Sequence, residues 1–207
     1  MIRDYQKSDF ATCSDLTNIV WDFDSHISSL ALSELFQWMY TAGSLSNSNF
    51  CKVLELNGKV KGLLFGKIEN MQTGQLRLST FWLQLKLIVK LILMKEIPFK
   101  TKLSLFKMVH VHEVNRSKLE SREISEVHLF IVDPEYQGMG WGKMLMNEFI
   151  TACKKRNIKR FVLETDEESN YGFYEHFGFT RKGEFYSPLL YEYAGNSDVT
   201  YVYELYL

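Results

Sequence analysis

The chain has 207 residues, 46% apolar and 24% charged, with a formal net charge of −1; that is enough for one substantial core and short for two. The near-balanced charge lacks the basic excess of a nucleic-acid binder, so no nucleic-acid partner is expected. Three widely spaced cysteines, Cys13, Cys51 and Cys153, fit no zinc or redox spacing and read as incidental thiols of a reducing compartment.

Met1 to Tyr5 reads as a short strand, and it lacks the apolar stretch of an export signal, which points to a cytoplasmic protein. Ser8-Asp9 resembles a helix cap before a helix over Phe10 to Val20. Trp21 to His26 breaks that pattern, and a second amphipathic helix is predicted from about Ser33 to Tyr40. Asn57-Gly58 between the runs Phe50–Leu56 and Lys59–Lys67 supplies the two positive φ angles of a type I′ turn and predicts a β-hairpin.

Residues 71–123 read as an inserted pair of helices within a single domain spanning 1–207. Phe81 to Met94 is apolar apart from a Lys86/Lys90 stripe, Pro98 ends it, and Leu103 to Val111 resumes a helical period. The apolar run is too short and too charged for an integral membrane segment. Between Phe81 and His112 six lysines face one acid, Glu96, a local +5 that leaves −6 for the rest. The plain reading is that these helices cover part of the core; a membrane-surface role requires lysines cleanly segregated from apolar residues.

Glu126 to Val132 reads as a strand buried on both faces. Gln137-Gly138-Met139-Gly140-Trp141-Gly142-Lys143 follows, then a helix from Met144 to Lys155 with Leu145, Phe149 and Ala152 on one stripe. A strand that turns through three glycines into a helix presents unpaired amides at the positive end of a helix dipole, a setting suited to a pyrophosphate. The spacing fits neither the dinucleotide fingerprint nor the P-loop, and an ordinary glycine-rich turn is the alternative. Arg160 to Thr165 completes a right-handed βαβ unit, a short helix spans Asn170 to His176, and Phe179–Phe185 and Val199–Leu207 are two further strands. The fold class is α/β with a mixed sheet.

Three ordered motifs resemble the GNAT family of acetyl-CoA-dependent N-acetyltransferases. Gln137, Gly140 and Gly142 match its [QR]-x-x-G-x-[GA] signature, Asn170 to Phe179 is similar to its N…FYxxxGF segment, and the opening Ile2-Arg3-Asp4-Tyr5 is a weaker match. The resemblance covers roughly residues 1–70 and 126–207, with 71–123 as a long insertion, and Asn170 stands four residues before Tyr174 where the family's Asn stands seven before its Tyr.

The resemblance implies a central sheet with two splayed parallel strands, and acetyl-CoA as co-substrate in the gap with no metal. It places Phe130, Ile131 and Val132 along the pantetheine arm, residues 137–143 (Gln137, Gly138, Met139, Gly140, Trp141, Gly142, Lys143) at the pyrophosphate, and Asn170 as a further cofactor contact. It makes Tyr174 the acid that protonates the leaving thiolate, a transfer a phenol of ordinary pKa can perform, although an aromatic simply filling the core beside Phe173 and Phe177 is the alternative.

Glu126 and His128 are two apart on one strand, which predicts that they share a face, and the family places a Glu or His at one of these positions as base. Histidine titrates in the right range, so which of them acts stays open, as do a solvated Glu and a structural His. Trp21 to His26, with Asp22 and Asp24, and the aromatic stretch Phe185 to Tyr191 would bound the acceptor pocket. His110 and His112 also lie two apart, without a third metal ligand nearby. The expected activity is acetyl transfer to a primary amine, more a small molecule than a protein tail, by direct attack in a ternary complex; a non-catalytic acyl-CoA-binding module is the alternative. The family also often forms homodimers.

Overall fold

A computed structural model describes residues 1–27, 29–72, 76–121, 123–167, 169, 171–188 and 198–207, with the backbone alone at 76–79. Among the described residues seven strands form one mixed sheet: β1 (Ile2–Asp4), β2 (Phe50–Leu56), β3 (Lys59–Lys67), β4 (Glu126–Val132), β5 (Arg160–Thr165), β6 (Thr180–Tyr186) and β7 (Val199–Tyr206). Their order is β1-β2-β3-β4-β5-β7-β6. All neighbours are antiparallel except β4 and β5.

The helices are α1 (Phe10–Trp21), α2 (Phe23–His26), α3 (Leu30–Asn47), α4 (Leu76–Leu93), α5 (Phe99–Ser117), α6 (Trp141–Lys154) and α7 (Tyr171–Phe177). One core lies under α6, where Leu145, Met146, Phe149 and Cys153 are fully buried against the sheet. A second lies under α1, built on Leu16, Leu63, Phe65, Leu129 and Ile131. A third joins α2 to α5 through Phe23, Leu35, Leu87, Leu91 and Leu105.

The hairpin is as the sequence predicts, with Asn57 at φ 51° and Gly58 at φ 75° and register Leu56↔Lys59. Two local expectations are corrected. The Asp9 carboxylate turns back to accept from the Gln6 amide at 2.7 Å and from both terminal nitrogens of Arg3 at 2.7 and 2.9 Å, so it closes the 3-10 turn Lys7–Asp9 and makes no side-chain cap to α1. The Arg3 guanidinium holds that carboxyl below its usual range despite burial.

The second predicted helix is also longer, running past Tyr40 to Asn47. Its extension consists of small residues with weak periodicity, and they allow close approach: a Cβ on Gly43 would lie 3.5 Å from the Gln84 side chain of α4, and Thr17 and Thr41 hydroxyls meet at 3.1 Å. The Trp21–His26 break is a left-handed residue, Asp22 at φ 47°, followed by α2.

All three cysteines are free, Cys13 and Cys153 buried and Cys51 half-buried. Burial pushes the Cys51 and Cys153 thiols up to about 12, which makes them poor nucleophiles. No helix among the described residues is long and apolar enough to cross a membrane.

Candidate active site

The parallel strands β4 and β5 pair only at Glu126↔Val162 and Val127↔Leu163. Beyond those two pairs they diverge, and a cleft of about 620 Å³ opens between them. This is the splay the sequence resemblance implies. The outer end of β4 is pinned on its other side, where the Asp133 amide donates to the Lys61 carbonyl at 2.9 Å and the Lys61 ammonium reaches the Asp133 carboxylate at 2.8 Å.

A second irregularity aims the strand. Leu129 faces Phe65 of β3 while Val127 faces Gly66, which leaves His128 as an extra residue in β4. The consequence is visible in the packing: Val127 belongs to the core under α6, but Leu129 and Ile131 belong to the core under α1. A regular strand would keep all three on one face, so the bulge at His128 reverses the alternation. The expectation that Glu126 and His128 share a face by simple alternation is therefore corrected. Gly66 is required opposite the bulge, because a Cβ there would sit 2.6 Å from the Phe149 ring and 2.8 Å from the Glu126 carbonyl.

His128 lines the cleft and Glu126 does not. Glu126 is 2% exposed and its carboxylate is 2.9 Å from a terminal nitrogen of Arg116, which is fully buried. The Arg116 Nε donates to Glu164 at 2.7 Å, and a further terminal nitrogen donates to the Glu120 carbonyl at 2.7 Å. Glu164 also lies 3.3 Å from Nε2 of His112, whose Nδ1 meets the Ser187 hydroxyl at 2.9 Å. The carboxylate that does line the cleft is Glu164. It was missed because Arg116 stands 48 residues away in sequence. The available signal was a charged residue inside a strand otherwise buried on both faces, which demands a partner.

At one end of the cleft the chain makes a 3-10 turn, Pro134–Tyr136, and Gln137 locks it by donating to the Val132 carbonyl at 3.0 Å. Gly138 and Gly140 take φ of 74° and 84°, and a Cβ at either would meet nothing within 4 Å. Their absent side chains leave the backbone open to a ligand. Gly140 caps α6 with no side chain accepting from the first-turn amides. An anion fits such a turn, where amides converge at the positive helix end. Gly142 is different: a Cβ there would press on Phe130 at 3.3 Å.

Phe130, Ile131, Val132, Gln137, Gly138, Gly140, Gly142 and Lys143 all line the cleft. Met139 is 64% exposed and Trp141 packs against the core under α6, and neither is among the lining residues. Asn170 lies outside the described residues.

The lining also includes Ile19, Val20, Trp21, Tyr40, Glu164 and Tyr174. The Tyr174 ring is packed by Phe179, Tyr203 and Phe130 at centroid distances of 5.6, 6.3 and 6.4 Å. Burial, then the Asp166 charge, raises its phenol above the ordinary range. The Tyr40 phenol is raised as well, by burial first and then by Glu164, Asp166 and Tyr174, although 41% of the Tyr40 surface is exposed.

Of the expected acceptor-pocket residues, Trp21 lines the cleft, while Asp22 and Asp24 are not among its lining residues. Asp24 accepts instead from Asn18 and Ser33. Phe185 is buried against His112 at 5.1 Å, Tyr186 is exposed, and residues 189–191 of that stretch lie outside the described residues.

A model of the acetyltransferase (GNAT) family matches residues 105–179. An uncharacterized N-acetyltransferase of Methanocaldococcus jannaschii is 35% identical over 68 residues, 32% of this chain and 30% of that protein, so the match spans under a third of its relative. Among solved structures, the PaiA N-acetyltransferase of Thermoplasma acidophilum in complex with coenzyme A superposes with a TM-score of 0.55 at 15% identity, over 100% of this chain and 98% of that one. Ard1 of Thermoplasma volcanium gives 0.53 at 16% over 100% and 97%. The ribosomal-protein-S18-alanine N-acetyltransferase of Escherichia coli gives 0.54 at 13% over 100% and 92%. The glycine turn and Tyr174 both lie inside the segment that matches the GNAT acetyltransferase family model, and the chain as a whole shares the fold of these acetyltransferase structures.

Proposed function

We propose that the protein transfers an acetyl group from acetyl-CoA to a primary amine of a small molecule, by direct attack in a ternary complex. The observation that carries this reading is the cleft between β4 and β5, which has the glycine turn at one end and His128, Glu164 and Tyr174 in its lining. Acetyl-CoA supplies the thioester carbonyl and a thiolate leaving group. The remaining chemistry belongs to the chain. The first-turn amides of α6 and the turn from Gly138 to Lys143 hold the pyrophosphate, and Phe130 to Val132 run beside the pantetheine arm.

An alkylamine is protonated near neutral pH, so a proton leaves before attack. Glu164 draws the ammonium to the inner end, and His128 accepts the proton. The phenol of Tyr174, raised by burial and Asp166, stays protonated throughout the working range and donates to the thiolate. Glu126, paired to Arg116, serves as a positioning residue for this end of the sheet.

The acceptor pocket supports a small amine: Trp21, Tyr40 and Glu164 give it two aromatic walls and one carboxylate, a combination suited to a cation. The test is thiol release from acetyl-CoA with a panel of small primary amines, run beside peptides with free N-termini. Turnover is expected with a subset of the small amines. Turnover on peptides alone refutes the acceptor class, and tight coenzyme A binding with no turnover on either refutes catalysis.

A further inference from the structure

The two inserted helices are apolar on the side that faces away from the protein. On α4, Thr80, Leu87 and Leu91 are buried toward α3, whereas Phe81, Trp82, Leu85, Val89, Ile92 and Leu93 are 41–70% exposed. At 100° per residue these six fall within one outward arc, and Lys86 and Lys90 lie together on one flank of it. On α5, Phe99, Leu103 and Phe106 are exposed at 76%, 59% and 42%, with exposed Lys100 and Lys107 beside them.

Lys102 is the exception among the lysines. It is buried and donates to the Ile92 and Met94 carbonyls at 2.6 Å, closing the end of α4 and fixing the two helices as a unit. The segregation of cations from apolar residues that a membrane-surface role requires is present.

We infer that this outer face of α4 and α5 docks the protein on an anionic lipid bilayer. Three features select that occupant. Between Phe81 and Ser117 five exposed lysines stand against two exposed acids, Glu96 and Glu113, and Lys90 also lies 4.0 Å from Glu34 of α3, so the rim keeps a cationic excess that an anionic surface complements. A second copy would set the same rim against itself, because a two-fold interface repeats one patch on both sides. The cleft does not extend to this face, so its apolar side chains project from helix surfaces, as in interfacial helices with snorkelling lysines.

The experiment is flotation of the full chain with vesicles of phosphatidylcholine alone or with about a third phosphatidylglycerol. Binding is expected to the anionic vesicles, to weaken with salt, and to shift Trp82 emission to the blue, a shift absent in Trp82→Phe. Each lysine near an anionic surface contributes about fivefold to the partition constant, so K86E/K95E/K100E weakens it by at least about 100-fold. L85S/I92S/F99S abolishes the emission shift, and unchanged circular-dichroism melting shows that the exposed substitutions leave the fold intact. No flotation with anionic vesicles overturns the inference. So does dimerisation in solution that L85S/I92S/F99S abolishes, or equal binding to polyglutamate, which would assign the face to an acidic protein. None of these outcomes depends on acetyl transfer.

Discussion

Tyr174 is gripped on several sides by aromatic rings, so its hydroxyl is presented in one place. Removing that hydroxyl as Phe keeps the packing and deletes one proton donor. Tyr174→Phe is expected to lower kcat by about 10²–10⁴-fold with little change in the KM for acetyl-CoA, read from initial rates. The raised phenol also fixes the sign of a pH effect. A group pushed above its ordinary value of 10 keeps its proton to higher pH, so kcat should show no loss from tyrosine ionisation up to pH 10. A falling limb below pH 10 that disappears in Tyr174→Phe would contradict this.

At the same scale, sequence and structure part company at Glu126. Residue type and spacing made it a candidate base, but a one-residue bulge at His128 and a guanidinium from a distant helix set its surroundings. Neither is encoded locally. The glycine turn is the opposite case: Gly138 and Gly140 take positive φ, which glycine adopts without strain, so the sharp turn into α6 was legible from the chain alone.

At the scale of elements, α5 proves to be structural as well as superficial. The last turn of α5 delivers Arg116 between Glu126 of β4 and Glu164 of β5, just where the two strands part. Two acids flanking one buried arginine leave an uncompensated charge when the arginine is removed, at about 3–5 kcal/mol. Arg116→Leu should show that loss in urea unfolding. The double variant R116L/E126L removes the buried carboxylate as well and should recover a substantial part of it, so equal losses in single and double variants would refute the pairing.

Glu120, just past α5, ties the same region to β5 and β6: it accepts from Arg160 at 2.6 Å, Lys182 at 2.5 Å and the Ser121 amide at 2.9 Å. Burial opposes its ionisation, yet the Arg160 and Lys182 hydrogen bonds win and lower its pKa from 4.5 to about 2. A depressed carboxylate contributes stability above its unfolded value and loses it as pH falls through the folded one. The stability gap between the protein and Glu120→Gln should therefore be constant above about pH 5 and close between pH 4.5 and 2, as followed by thermal melting.

For the whole molecule, the sheet and its helices were largely legible because each carries a local signal: the Asn-Gly turn, the apolar run of β4, the period of α6. The architecture around the cleft was legible only through resemblance, since the splay depends on β4 and β5 pairing at just two positions. That weak seam makes the centre of the molecule the place where a ligand contributes most. If the cleft takes coenzyme A as proposed, binding replaces the missing strand contacts and stabilises only the folded state. At a ligand concentration 100 times Kd the gain is about 2.7 kcal/mol, which for a chain of this size corresponds to a rise in Tm of about 5–10 °C. The rise should be accompanied by slower amide exchange in residues 129–132 and 163–165, the edges of the gap, with little change in β1 or β2. A rise without that localised protection would place the ligand elsewhere, and no rise at saturating coenzyme A would remove the cofactor from the cleft altogether.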